Sequence, residues 1–220
     1  MKKIKNFIKL LIVPTKTFYF FTGLLVASAF YFYTEDSYEV EIFTALKKYT
    51  LSNIKPNDQS NLDSIVINAT LTTHILEKSR ESLFLFLDNK SMKSKYLQPI
   101  TYDLMTGQGA CGSNSYVLGR LLKEFKISTR FAQMIVNGKP GGHIVIEANI
   151  NNKWVVLDAY FNQVFKDSLG KLATFKMIGD NWDFFKNQLQ PNYNINYKYE
   201  GVQYSNWNKV PILLPFIKKL

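Results

Sequence analysis

Two alternating runs, His143 to Asn149 and Trp154 to Tyr160, flank the pair Asn151-Asn152, and no other stretch restricts the fold as much. Asparagine tolerates the left-handed backbone that a two-residue hairpin needs, so the runs read as antiparallel strands. With the loop at Asn151-Asn152, His143 faces Tyr160 and Val145 faces Asp158. His143 and Asp158 then lie diagonally on one face, about 7–8 Å apart at the backbone. A loop at Ile150-Asn151 sets them directly opposite. Both registers keep the two on one face and give Ile144, Ile146, Val155 and Leu157 the opposite, core-facing side. A three-residue loop would break the alignment.

Around this hairpin the pattern is mixed α and β. Ser64 to Leu87 reads as a helix, with Ile75, Leu76, Leu83, Phe84 and Leu87 inward and Glu77, Lys78, Arg80 and Glu81 wet. Glu35 to about Leu62 shows no firm apolar spacing, and Asp88 to Lys95 is a polar break. In a second helix, Ser113 to Phe125, the residues Leu118, Leu121, Leu122 and Phe125 follow helical spacing. Thr129 to Val136 is a strand closed by Asn137-Gly138, with a loop through Gly142. Leu172 to Leu189 is helical, and Val210 to Leu220 is an apolar tail.

The first 34 residues stand apart. They hold Lys2, Lys3, Lys5, Lys9 and Lys16 and no acid, and the 18 residues 17–34 carry no charge. That is close to the minimum of roughly 17 residues for a membrane-spanning helix. Lysines before it and Glu35-Asp36 after it orient the N-terminus to the cytoplasm and the rest outside. A cleaved signal peptide is the competing reading, since Ala27-Ser28-Ala29 resembles a cleavage site, but bulky aromatics follow it. A buried core helix is another. The expected division is a lysine-rich tail and anchor over 1–34, a mainly helical lead-in over 35–95, a core over 96–200 and a tail over 201–220. The other 22 basic and 17 acidic residues are spread along the chain, which argues against nucleic acid as a partner.

Cys111, the single cysteine, rules out an internal disulfide and any multi-thiolate zinc site. His74 and His143 are the only histidines, so no His-rich metal centre and no cofactor is expected. Cys111 lies in Gly107-Gln-Gly-Ala-Cys-Gly112, at the mouth of the second helix and in phase with Ser115, Leu118 and Leu122. A helix N-terminus stabilises a thiolate, a neighbouring imidazole takes its proton, and a carboxylate orients the imidazole. Cys111 as nucleophile, His143 as base and Asp158 as orienter form a candidate triad. The Cys111 backbone N–H and the Gln108 amide are candidates for an oxyanion hole. Read singly, the three triad residues are a small buried thiol, a loop histidine and a strand-end cap. His74, in a Thr-Thr-His run, reads as a surface or capping residue.

Gly107-Gln-Gly-Ala-Cys111-Gly-Ser-Asn-Ser-Tyr, Ile127-Ser-Thr-Arg130-Phe, His143-Ile-Val-Ile-Glu147 and Trp154-Val-Val-Leu-Asp158-Ala together resemble the transglutaminase-like superfamily, over roughly Tyr96 to Phe165. The resemblance implies a papain-like α+β fold with a nucleophile helix on an antiparallel sheet. It also implies amide hydrolysis or acyl transfer through a Cys thioester. Gly112 stands where true transglutaminases often have an aromatic residue, which weakens any claim of protein crosslinking, and Ala159 stands where a proline is common. No calcium-loop pattern occurs. The expectation is a membrane-anchored thiol enzyme acting on a peptide or envelope polymer. The alternative is a catalytically silent binding module of an envelope assembly.

Overall fold

The computed structural model describes residues 2–79, 104 and 110–204, the side chains of 2–14, 29–36, 110 and 141 excepted. The chain divides into two compact units, Met1–Ile42 and Phe43–Leu220. The first is helical throughout its described part and belongs to α1 (Lys2–Ser52). Among the described residues no helix is long and apolar enough to cross a membrane. The expected membrane-spanning helix is therefore not identified, although residues 17–34 are helical.

The second unit is α+β. It begins in the last turns of α1 and continues through α2 (Leu62–Lys78) and α3 (Ala110–Glu124). Then come β1 (Thr129–Val136), β2 (Lys139–Ile150), β3 (Lys153–Asp158) and β4 (Gln163–Val164). The short helices α4 (Phe175–Asp180) and α5 (Trp182–Phe185) precede β5 (Val202–Tyr204). The strands form one antiparallel sheet in the order β4-β3-β2-β1-β5. Arg130 ties its far half together: the guanidinium pairs with Glu147 at 2.7 Å and lies over the rings of Trp154 and Tyr204.

Several expectations are corrected. Glu35 to Ser52, part of the expected helical lead-in, is helix, and it shows no firm apolar spacing because its buried positions mix Phe43 with polar Thr50. Thr50 satisfies its hydroxyl on the Leu46 carbonyl and on Thr72 of α2. In α2 the inward face is Ile65, Val66, Ala69, Thr70, Thr72, Thr73 and Glu77, so Glu77 is buried and Ile75 exposed, the reverse of the hydropathy reading. Asn61 starts this helix by capping the amides of Asp63 and Ser64. The part of the expected helix beyond Ser79 lies outside the described residues.

Lys139 to Gly142, expected in a loop with Gly138, is instead strand. Asn137 and Gly138 both take positive φ, which closes a tight hairpin and lets pairing resume at Lys139. Pro140 is tolerated because β3 does not reach this end of β2. Leu172 to Leu189 breaks into α4, α5 and a 3-10 turn rather than one helix. Asn181 leaves helical geometry between them, at φ −133°. Val202–Tyr204, placed in the tail, pairs with β1, while residues 205–220 lie outside the described set.

Both sheet faces are buried, where one core side was expected. Phe131, Ile146, Ala148, Val155 and Leu157 line the face toward α2 and α3. Ala132, Met134, Val145 and Val156 line the other, under Phe165, Phe175, Ile178, Phe185, Tyr193 and Tyr199 of the C-terminal segment.

Candidate active site

Asn151 and Asn152 adopt φ of 52° and 64°, a two-residue turn of the kind favoured between right-twisted strands. The β2–β3 register follows: Ile150 faces Lys153 and Ile146 faces Leu157. That is the loop position that leaves His143 diagonal to Asp158. The ladder stops at Ile146–Leu157, so among the described residues the opening residues of β2 have β1 on one side and no strand on the other.

The start of α3 takes that free edge. Ser115 donates its hydroxyl to the Ile144 carbonyl at 3.1 Å, and the Ile144 amide hydrogen-bonds the Cys111 sulfur. In a β-strand one residue's N–H and C=O point to the same side, and buried backbone groups need partners. The helix thus replaces the missing strand at Ile144. Cys111 and Ser115, one turn apart, share a helix face. Leu118 and Leu122 continue it, both fully buried. Cys111 lies inside the first turn of α3, slightly deeper than its expected place at the helix mouth.

His143 Nε2 and Asp158 Oδ2 are 2.6 Å apart and both side chains are buried. Asp158 Oδ1 accepts the backbone N–H of Tyr160 at 3.1 Å and of Phe161 at 3.2 Å. The carboxylate therefore ends β3 in a turn that holds it on three donors. With Nε2 committed to Asp158, Nδ1 is the ring nitrogen left for Cys111, with which His143 shares a hydrogen bond. Burial pulls the imidazole pKa down, but the Asp158 charge and hydrogen bond outweigh it, with help from Cys111, and His143 is raised to about 9. Burial pushes the Cys111 thiol up, while the His143 hydrogen bond and charge and the Ile144 amide pull it further down. The net effect is a thiol below its ordinary value, despite Asp158. A low thiol beside a high imidazole is the ion-pair form of a nucleophilic cysteine.

An aromatic enclosure surrounds the imidazole, and sequence reasoning missed it. Tyr197 stacks flat on His143, with centroids 4.7 Å apart and planes within 1°. Phe161 and Tyr193 meet the ring at 5.4 and 6.5 Å. The Tyr193 hydroxyl donates to that of Tyr199 at 3.0 Å. Burial, and then the charge of Asp158, raises the Tyr193 pKa; burial, Tyr193 and Asp158 raise that of Tyr199. Tyr199 holds a φ of 59°, unusual for a bulky residue, and its carbonyl lies where a side chain on Gly179 would overlap it. This pins the segment that delivers Tyr197. The only signal in the sequence was the tyrosine-rich run 193–199.

His74 is not a surface cap. It sits within α2, partly buried, against the residues that follow Asp158. Gln108, the oxyanion-hole candidate, lies outside the described residues. Among the described residues no cluster of three or more His, Cys, Asp or Glu side chains is arranged to hold a metal. The structure brings together Cys111, His143 and Asp158, from α3, β2 and β3. Comparisons with protein-family models, curated proteins and solved structures return no match to this chain.

Proposed function

We propose that this chain is a membrane-anchored thiol enzyme of transglutaminase-like, papain-like type, acting on an amide in a peptide or envelope polymer. The observation that carries the reading is the hydrogen-bonded series from Cys111 through His143 to Asp158 at a helix N-terminus. The Cys111 thiolate attacks the amide carbonyl carbon, and the oxyanion is received by N–H groups at the start of α3. The C–N bond breaks as imidazolium Nδ1–H gives its proton to the leaving amine. A thioester remains on Cys111. Water or a second amine then attacks it, His143 takes the incoming proton, and the thiolate leaves.

The test is incubation with an envelope extract followed by mass spectrometry of the intact chain. An adduct confined to Cys111 and absent from Cys111→Ala is expected. A wild-type chain that gains no adduct, together with a Cys111→Ala strain indistinguishable from wild type, would replace this reading with a silent binding module.

The anchor rests on the charge-free segment 17–34 and the lysines before it. It is supported by the consecutive residues Phe18, Tyr19, Phe20 and Phe21, each more than half exposed and together facing every direction around the helix. Retention in the membrane pellet after carbonate extraction is expected. Release to the supernatant would remove the anchor and leave the thiol chemistry untouched.

A further inference from the structure

The second histidine touches the site from behind. His74 Nδ1 lies 2.9 Å from the Ala159 carbonyl oxygen and 3.1 Å from that of Tyr160. Both partners only accept, so Nδ1 carries the hydrogen and donates it between them. These carbonyls belong to the peptide units Ala159–Tyr160 and Tyr160–Phe161. The N–H groups of the same two units donate to Asp158 Oδ1. A peptide unit is planar and trans, so its oxygen and its hydrogen cannot be reoriented separately. Holding the two oxygens aims the two hydrogens. A carbonyl that accepts a hydrogen bond also strengthens its own N–H as a donor.

We propose that His74 is a positioning residue of the Cys111–His143–Asp158 site: from α2 it holds the two peptide planes whose N–H groups fix the Asp158 carboxylate for His143. The inference rests on the acyl-transfer reading of that site. His74 hydrogen-bonds main-chain carbonyls and acts through the backbone that follows Asp158. It also explains why a histidine stands on the inward side of α2 beside threonines. A longer reach than Thr73 has, ending in an N–H, is what the two carbonyls require.

The test uses the full chain with three substitutions. His74→Leu removes the donor. His74→Asn returns an N–H near the place of Nδ1, and His74→Gln is similarly polar but puts its amide further out. Two readouts need no substrate: the pH profile of Cys111 alkylation by iodoacetamide, and the titration of His143 by NMR. His143 is the only histidine left in each variant, so its signal is unambiguous.

In His74→Leu, Cys111 alkylation at neutral pH is expected to fall about tenfold, the change that accompanies one pH unit, and His143 to titrate below about 9. His74→Asn is expected to lie near wild type and His74→Gln near His74→Leu. Lower stability with both inflections unmoved would reduce His74 to a tie between α2 and the turn. Should His74→Leu not fold, equal profiles for the Asn and Gln variants would overturn the proposal on their own. A wild-type Cys111 that titrates like free cysteine would instead sink the acyl-transfer reading, whatever His74 does to His143.

Discussion

Replacing His143 with alanine is expected to slow thioester formation on Cys111 by about three to four orders of magnitude. The loss has two separable parts. Burial alone pushes the Cys111 thiol up, and the contribution that most strongly reverses this is the His143 hydrogen bond, followed by its charge. Without the imidazole the thiol returns toward or above its ordinary value, and each unit of that rise costs tenfold in thiolate at a fixed lower pH. Iodoacetamide reads this part alone, because alkylation needs a thiolate and no proton donor. Amide cleavage also needs a proton for the departing amine, so it should fall further than alkylation does. In the wild type, thioester formation from an amide should decline as pH rises past about 9, where His143 gives up its proton. An alkylation profile unchanged by His143→Ala would mean that the imidazole does not activate the sulfur.

Asp158→Ala should be the more damaging change to the fold, costing about 3–5 kcal/mol, as removal of one member of a buried pair does. It strands His143 Nε2–H and the amides of Tyr160 and Phe161, all of which donate to the carboxylate. Its pH signature is specific. The folded pKa of His143, about 9, stands above its ordinary value of 6.5, so its contribution to stability is complete below 6.5 and lost as pH climbs toward 9. The Cys111 thiol, held low, contributes in the opposite sense: its share is present above its ordinary value of 9.0 and lost as pH falls through the folded one. The two slopes oppose each other in the wild type. Denaturant unfolding in a Cys111→Ala background removes the second. Stability should then fall as pH rises above 6.5, over a span that ends below 9 because Cys111 no longer helps to raise the imidazole, and adding Asp158→Ala should remove that fall, since burial alone lowers the imidazole. A flat profile in Cys111→Ala itself would show that Asp158 does not hold a proton on His143.

The parts of this architecture legible in the sequence are those fixed by local chemistry. Asn151-Asn152 sets its turn through the backbone freedom of asparagine, and the alternation on either side sets the faces. The phase of Cys111 with Ser115, Leu118 and Leu122 follows from helical geometry alone. What hydropathy could not supply is any place where a polar residue is buried with a distant partner. Thr50 of α1 and Thr72 of α2 sit inside against each other, and on α2 Glu77 is inside while Ile75 is outside, because tertiary contacts and not residue class decide which positions turn inward. Tyr197 reaches His143 across more than fifty residues, and His74 reaches Ala159 across 85, with no periodicity to announce either. Pro140 looked like a loop marker because sequence does not reveal that β3 ends short of it.

That early ending has a consequence for tolerance to motion. Consecutive residues of one strand serve as the reference for both reacting groups: residue 143 carries the ring, and the main chain of residue 144 sets the height of the sulfur. Because both references lie on one strand, a shift of β2 at this point carries the ring and the sulfur together.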